Sequence, residues 1–281
     1  MNRRLFTLTA VSGAAALALA SCGVGGGSDS DAEGSGGSDG DHVIKVASHL
    51  PPMTDVVTTA AEVAAEEGYE IELVQVSDNV QYNRLLADGE VDANFAQHQP
   101  YMEKFNEENE ANLVRLDAIY DAKVGFYSKA YSTAEEIPEG AKVAIPNDVS
   151  NEGRALAILH EQGLLTLPED TGFEGRVGDI VANPLELEFV QVDLLNLASA
   201  YDEDGIALVY NYPTYISKVG LTPADAILLE ETVDQRFAIS LVAREDNQDS
   251  AKITVLRRAM TSDAVRTFLE DGHSATLIPS F

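Results

Sequence analysis

Two short stretches carry side chains that could grip a small molecule. In "IPNDVSNEGRALAIL", Ile145 to Leu159, a strand runs into a polar turn, and a helix is expected to begin near Asn151 or Glu152 with Arg154 in its first turn. A helix N-terminus has free N–H groups and the positive end of the dipole, so it suits an anion, and its first turn favours Asp or Glu. An arginine there makes sense if its planar guanidinium faces a ligand carboxylate and holds it through two parallel hydrogen bonds. The plainer reading is a solvated arginine paired with Glu152. In "DANFAQHQPY", Asp92 to Tyr101, an alternating strand ends in Gln97, His98, a proline and Tyr101. That crowding fits a catalytic group, a metal site, a ligand cage or a capped loop. Asn211 ends the strand "GIALVYN" and offers both a donor and an acceptor. Its carbonyl oxygen could hold an ammonium group, or it is a turn residue before Pro213.

Catalytic and metal chemistry have little support. The five histidines, His42, His49, His98, His160 and His273, form neither H-x-H nor H-E-x-x-H, and Cys22 is the only cysteine. No zinc set is expected. There is no G-x-S-x-G elbow and no phosphate-cradling glycine loop, and carboxylates are too numerous for a catalytic pair to stand out. No enzyme activity and no cofactor are expected.

The elements that must position these residues alternate between strand and helix. "HVIKVAS", "YEIELVQV", "VDANFA", "LVRLDAIY", "KVGFYSK", "KVAIPND", "LEFVQV", "GIALVYN" and "FAISLVARED" read as strands. "DVVTTAAEVAAEEG" reads as a helix capped by Thr54 or Asp55 and stopped at Gly68; "QYNRLLADGE", "PYMEKFNEENEA" and "SNEGRALAILHEQGLL" follow as helices, and "SAKITVLRRAMTSDAVRTFLEDG" closes the chain as one or two. The alternation predicts an α/β fold with largely parallel sheets. "LLADGEVDANFAQHQPY" and "SAYDEDGIALVYNYPTY" each run from a helix end through a glycine to a strand and then to polar and aromatic residues, with Pro and Tyr close behind. They read as equivalent elements of two lobes. Ligands of open α/β sheets lie beyond the carboxyl ends of strands, so two such ends facing each other would form a cleft.

The chain of 281 residues is 45% hydrophobic, enough for a sizeable core, and carries a formal charge of −29. That charge argues against nucleic acid, which needs a basic stripe, and against broad contact with an anionic membrane. The N-terminus "MNRRLFTLTAVSGAAALALASC" has a basic start, an apolar stretch and small residues, which is the pattern of a secretion signal. "LASC", Leu19 to Cys22, resembles a bacterial lipobox, with cleavage before Cys22 and a diacylglycerol on its sulfur. "RRLF" also resembles a twin-arginine export signal. Loss of residues 1–21 removes two arginines and no acid, leaving 16 basic against 47 acidic residues and a charge of −31. Residues 23–41 are a Gly/Ser/Asp run too polar to fold, and such a tether reaches on the order of 25 Å. No later apolar run approaches the roughly 20 residues that cross a bilayer. The expected location is the extracytoplasmic face of the cell membrane, reached through the lipid anchor.

Taken together, "GEVDANFAQHQPYMEKF", "VAIPNDVSNEGRALAIL" and "ALVYNYPTYISKVGLTP" resemble the NlpA/MetQ family, the methionine-binding lipoproteins of ABC importers, over about residues 43–281. The resemblance implies a type II, two-lobed periplasmic-binding-protein fold that closes on a free amino acid, in a chain expected to be monomeric. It implies that Arg154 binds the ligand carboxylate, that Asn151 and Asn211 hold its polar end, and that His98 and Tyr101 line the side-chain pocket. It also implies an ABC permease and its ATPase as partners. The expected layout is a signal peptide over 1–21, lipidated Cys22 and tether over 22–42, lobe 1 over 43–128 plus 234–281, and lobe 2 over 129–233. The crossovers are expected near 127–131 and 232–237. Two positions depart from the family pattern: Ala96 stands where Phe usually precedes Q-H, and Asn79 stands where an aromatic residue is common, with Tyr82 three residues on. A one-residue shift along a strand reverses the face, so Phe95 does not replace the missing ring. L-methionine is the expected ligand. Methionine sulfoxide, another polar amino acid or a dipeptide is the alternative, as is a non-transport surface lipoprotein or adhesin.

Overall fold

A computed structural model of the chain describes residues 42–273 and 276–281. The expected signal peptide, Cys22 and nearly all of the tether lie outside the described residues.

The fold begins with strand β1 (Val43–Ser48), helix α1 (Met53–Glu66), strand β2 (Glu70–Gln75), helix α2 (Gln81–Ala87), strand β3 (Ala93–Gln97), helix α3 (Gln99–Asn109) and strand β4 (Leu113–Ala122). Next come β5 (Gly125–Tyr127), β6 (Lys142–Pro146), α4 (Val149–Glu161), β7 (Glu188–Val192), α5 (Leu197–Ala200), β8 (Ile206–Asn211), α6 (Pro213–Ile216) and β9 (Leu228–Leu229). The chain ends with β10 (Ile239–Arg244), α7 (Ala251–Met260), α8 (Asp263–His273) and β11 (Leu277–Pro279). The described strands form a six-stranded sheet, β11-β4-β10-β3-β1-β2, and a five-stranded sheet, β7-β6-β8-β5-β9. The closing segment is two helices, and β9 and β11 were not foreseen because runs of two or three residues carry no readable alternation.

The sheets are mixed, which corrects the expectation of largely parallel ones. β1 pairs in parallel with β2 and β3, and β6 with β7 and β8. β10 runs antiparallel between β3 and β4, β11 antiparallel to β4, and β5 antiparallel to β8 and β9. β4 and β5 carry the chain out of the six-stranded sheet and β9 and β10 carry it back, and all four have antiparallel partners. The first passage is earlier than expected: β4 ends in the six-stranded sheet at Ala122 and β5 starts in the other at Gly125, so 123–124 is the switch, not 127–131. Gly125 permits it, because a Cβ there would stand 2.8 Å from the Leu228 carbonyl oxygen. The second passage, 230–238, spans the expected 232–237. The Glu230 N–H donates to the Val124 carbonyl at 3.0 Å, so the two crossing segments run side by side.

Local chemistry explains where helices begin. α1 buries Met53, Val56, Val57, Ala60 and Ala64 on one face and stops before Gly68, whose φ of 80° suits glycine. Its cap is Pro52 without a side-chain bond, not Thr54 or Asp55, because both of those are already helical. α4 starts two residues earlier than expected: Asp148 is the N-cap and accepts the Asn151 N–H at 3.0 Å. Nearly all of α4 is buried, so its helical face does not alternate with a wet one.

Candidate ligand-binding site

The carboxyl ends of all six parallel strands converge on one cavity. Asn79 follows β2, His98 and Tyr101 follow β3, Asn151 follows β6, Leu194 follows β7, and Tyr212, Thr214 and Tyr215 follow β8. Met53, at the start of α1 beyond β1, completes the ring, and Tyr82 of α2 stands beside it. The cavity volume is about 40 Å³, room for roughly three waters at about 10–15 Å³ each. A molecule larger than that fits only if the walls part.

His98 caps a helix, one of the roles its sequence setting allowed, and its ring lines the cavity. As N-cap of α3 its Nδ1 accepts the Tyr101 N–H at 3.3 Å, and its Nε2 lies 3.2 Å from Asn151 Oδ1. A backbone N–H can only donate and an amide oxygen only accept, so the ring is neutral with its proton on Nε2. Burial, reinforced by the Arg154 charge, holds its pKa down at about 3. The Tyr101 hydroxyl donates to the Asn79 carbonyl at 3.0 Å, which ties the loop after β2 to α3. Asn83, Asn94 and Gln97 form a closed buried amide network under the cavity that fixes α2 against β3. Gln97 is therefore both wall and support.

Asn151 joins the two sheets' contributions. Its Nδ2 donates to both Asp148 oxygens at 3.0 Å, while its Oδ1 accepts from the Tyr212 hydroxyl at 2.7 Å and faces His98. Burial raises the Asp148 pKa, against the bonds from Asn151 and Ser150 that favour its charge.

Arg154 is neither in the first turn of α4 nor on the surface. It is completely buried one layer behind the cavity wall. Its Nε and Nη2 donate to the two oxygens of Glu230 at 2.9 and 2.6 Å, Nη2 also to the Ala122 carbonyl at 3.2 Å, and Nη1 to the Tyr212 hydroxyl at 3.0 Å. The fork expected to face a ligand is taken by Glu230. Glu152, its expected surface partner, instead pairs with Arg176 at 2.9 Å. The guanidinium carbon lies 4.4 Å from the Phe237 ring centre, and Phe237 packs edge-on to His98 and Phe173. One arginine thus binds α4 to both crossing segments. Asn211 also lies fully buried outside the wall, with neither its amide nitrogen nor its oxygen hydrogen-bonded.

Of the five expected binding residues, His98, Tyr101 and Asn151 line the cavity, and Arg154 and Asn211 stand behind it. Ala96 and Asn79 are both in the wall, and Phe95 points away into the core against Tyr120, as the strand alternation requires. Sequence reasoning did not identify Glu230, Phe237, Tyr120 or Tyr212. The aromatic cluster "YNYPTY" was a visible signal for the last of these. Glu230 had none beyond following an apolar run. Among the described residues no cluster of His, Cys, Asp and Glu could hold a metal ion, and no helix is long and apolar enough to cross a membrane.

Two lobes of mixed sheet with a cleft at their strand ends define the class: a type II periplasmic-binding-protein fold. Residues 44–281 match the family model for NlpA lipoprotein, and the chain belongs to that family. It is 34% identical to the methionine-binding lipoprotein MetQ of Bacillus subtilis over 244 residues, 85% of this chain and 89% of that protein. A solved YaeC-family lipoprotein from Enterococcus faecalis is 48% identical with a TM-score of 0.78, over 86% of this chain and 100% of the other. A nutrient-binding protein from Burkholderia cenocepacia, solved bound to methionine, is 31% identical with a TM-score of 0.80, over 85% and 100% of the two chains.

Proposed function

We propose that this protein captures a free amino acid, foremost methionine, and delivers it to an ABC permease and its ATPase from a lipid anchor at Cys22. The observation that carries the reading is the cavity at the six parallel strand ends. Its lining combines aromatic and thioether side chains, Tyr82, Tyr101, Tyr215 and Met53, with a hydrogen-bonded polar set, Asn151, His98 and Tyr212. The aromatic lining suits a flexible thioether side chain, which packs well against rings. The polar set, with Arg154 and Asn211 behind it, suits the amino-acid head. Arg154 has five N–H groups and donates four, so one Nη1 proton is left for the ligand carboxylate once the wall opens. Asn211 has both amide groups unpartnered, each a cost of about 1–3 kcal/mol that a bound polar group would relieve. The lobes close on the ligand about the two crossing segments, and the reading involves capture without chemistry. Two of the relatives reported above are described as binding proteins, and the family is one of lipoproteins.

Thermal unfolding of residues 42–281, freed of ligand by unfolding and refolding, tests this. L-methionine at 100 times its dissociation constant adds about 2.7 kcal/mol, a rise in Tm of roughly 5–10 °C. D-methionine, methionine sulfoxide and other amino acids form the comparison. A rise with sulfoxide alone moves the ligand toward the polar side chain that Asn79 and Ala96 would admit. No rise with any amino acid sinks the reading.

A further inference from the structure

The pairing of Arg154 has a consequence for which ligands the cleft accepts, given the amino-acid reading above. A cation with charge to spare strengthens the grip of a site on a carboxylate. Here the guanidinium behind the wall is held by both oxygens of Glu230 at 2.6 and 2.9 Å, with Glu230 itself only 3% exposed. Among the described residues no Lys or Arg side chain lines the cavity. His98 is neutral, as its two hydrogen bonds require. Lys218 stands on the exposed side, 5.3 Å from the Tyr215 ring centre. A second acid behind the wall, Asp148, caps α4 beneath Asn151 and is balanced by the helix N-terminus. The polar set of the cleft therefore has no surplus positive charge, and any imbalance is negative.

We infer that Glu230, by neutralising Arg154 within the protein, makes the cleft select ligands bearing both a carboxylate and an ammonium group over ligands bearing a carboxylate alone. A lone carboxylate would be taken from water into a wall whose one cation is already paired, and a buried anion without a partner is costly. A zwitterion brings its own compensating charge. Its carboxylate meets the remaining Nη1 proton of Arg154, and its ammonium group offsets Glu230. The pair thus works as a fixed dipole matched by the ligand's own. Glu230 is a positioning and selectivity residue, since it reaches the cavity through Arg154.

The test is calorimetric titration of the full chain in detergent with L-methionine and with 4-(methylsulfanyl)butanoate, the same molecule without its amine. The wild-type protein should prefer methionine on the order of 100-fold. Glu230→Gln frees the charge of Arg154 and should narrow that ratio at least tenfold or reverse it, while Glu230→Asp keeps the charge and should keep the ratio even if both affinities fall. If Glu230→Gln does not fold, the wild-type ratio and the Glu230→Asp ratio still decide. Methionine binding with a wild-type ratio below about threefold, a ratio unchanged in Glu230→Gln, or a ratio lost in Glu230→Asp overturns the selectivity role alone. No binding of either compound to the wild-type protein overturns the amino-acid reading and the selectivity with it.

Discussion

At the scale of residues, the site is a chain of hydrogen bonds whose members leave one another little freedom. Arg154 donates to Tyr212, Tyr212 donates to Asn151, and Asn151 faces the proton on His98 Nε2. His98 is the titratable link. Its pKa is held at about 3 in the folded protein, first by burial and then by Arg154, against 6.5 for a free histidine. A depressed histidine pKa means the unfolded chain binds the extra proton, so stability rises with pH across the interval between the two values. The contribution is complete above about pH 6.5 and is lost as pH falls toward 3, at about 1.4 kcal/mol per pH unit for one group. Urea denaturation at pH 7, 6, 5 and 4 should show the wild-type protein losing stability faster than His98→Gln by about that slope. His49, lowered to about 4 by burial and then by Lys218, acts in the same direction and is common to both proteins. Parallel pH profiles would show that His98 titrates normally and that the neutral ring is wrongly assigned.

At the scale of elements, α4 holds the site together from behind. Asp148 fixes its start, Asn151 in its first turn reaches the cavity, and Arg154 in its second turn reaches the crossing segments. Gly153 sits between them because the loop carrying Phe173 presses on the helix there: a Cβ would stand 1.9 Å from the Phe173 carbonyl oxygen. That obstruction is backbone and cannot rotate away. Gly153→Ala, ordinarily favourable in a helix, should instead destabilise by about 1–3 kcal/mol or more through overpacking. It should also weaken ligand binding, because Phe173 supports Phe237 and Phe237 covers Arg154. Chemical denaturation and titration of the variant check both effects, and an unchanged denaturation midpoint would mean the loop moves freely.

At the scale of the whole molecule, 47 acidic residues against 18 basic ones place a large like-charge load on a compact fold. Among the described residues few ion pairs are buried: Arg154–Glu230 is wholly so, and Glu152 pairs with the half-exposed Arg176. The excess charge is therefore solvated and self-repelling, and salt should screen it, since the Debye length falls to about 10 Å at 0.1 M and about 3 Å at 1 M. Tm should rise steadily as sodium chloride increases from 10 mM to 1 M at pH 7. A flat or falling Tm over that range would show that the acidic surface is already compensated.

Much of the site could be read along the chain because local chemistry produces it. Strand ends, caps and the Pro-Tyr turns after β3 and β8 are short-range patterns, and they singled out His98 and Tyr101 before any fold was known, whereas Asn151 was implied by the family resemblance. Alternation of strand and helix likewise marked the fold as α/β, the likeness of the segments around β3 and β8 pointed to two lobes with a cleft, and strand periodicity determined that Phe95 could not supply a ring in place of Ala96. What only the tertiary structure decided was partnership across distance. Glu230 lies 76 residues from Arg154 and is one of many acids, so nothing local marks it. The register of β9 beside β5 brings it under α4. The same holds for the passage at 123–124, where two strands that follow closely in sequence are assigned to different sheets by the close approach that Gly125 permits. Periodicity reports which face a residue takes within its own element; which charge it meets depends on how distant elements pack.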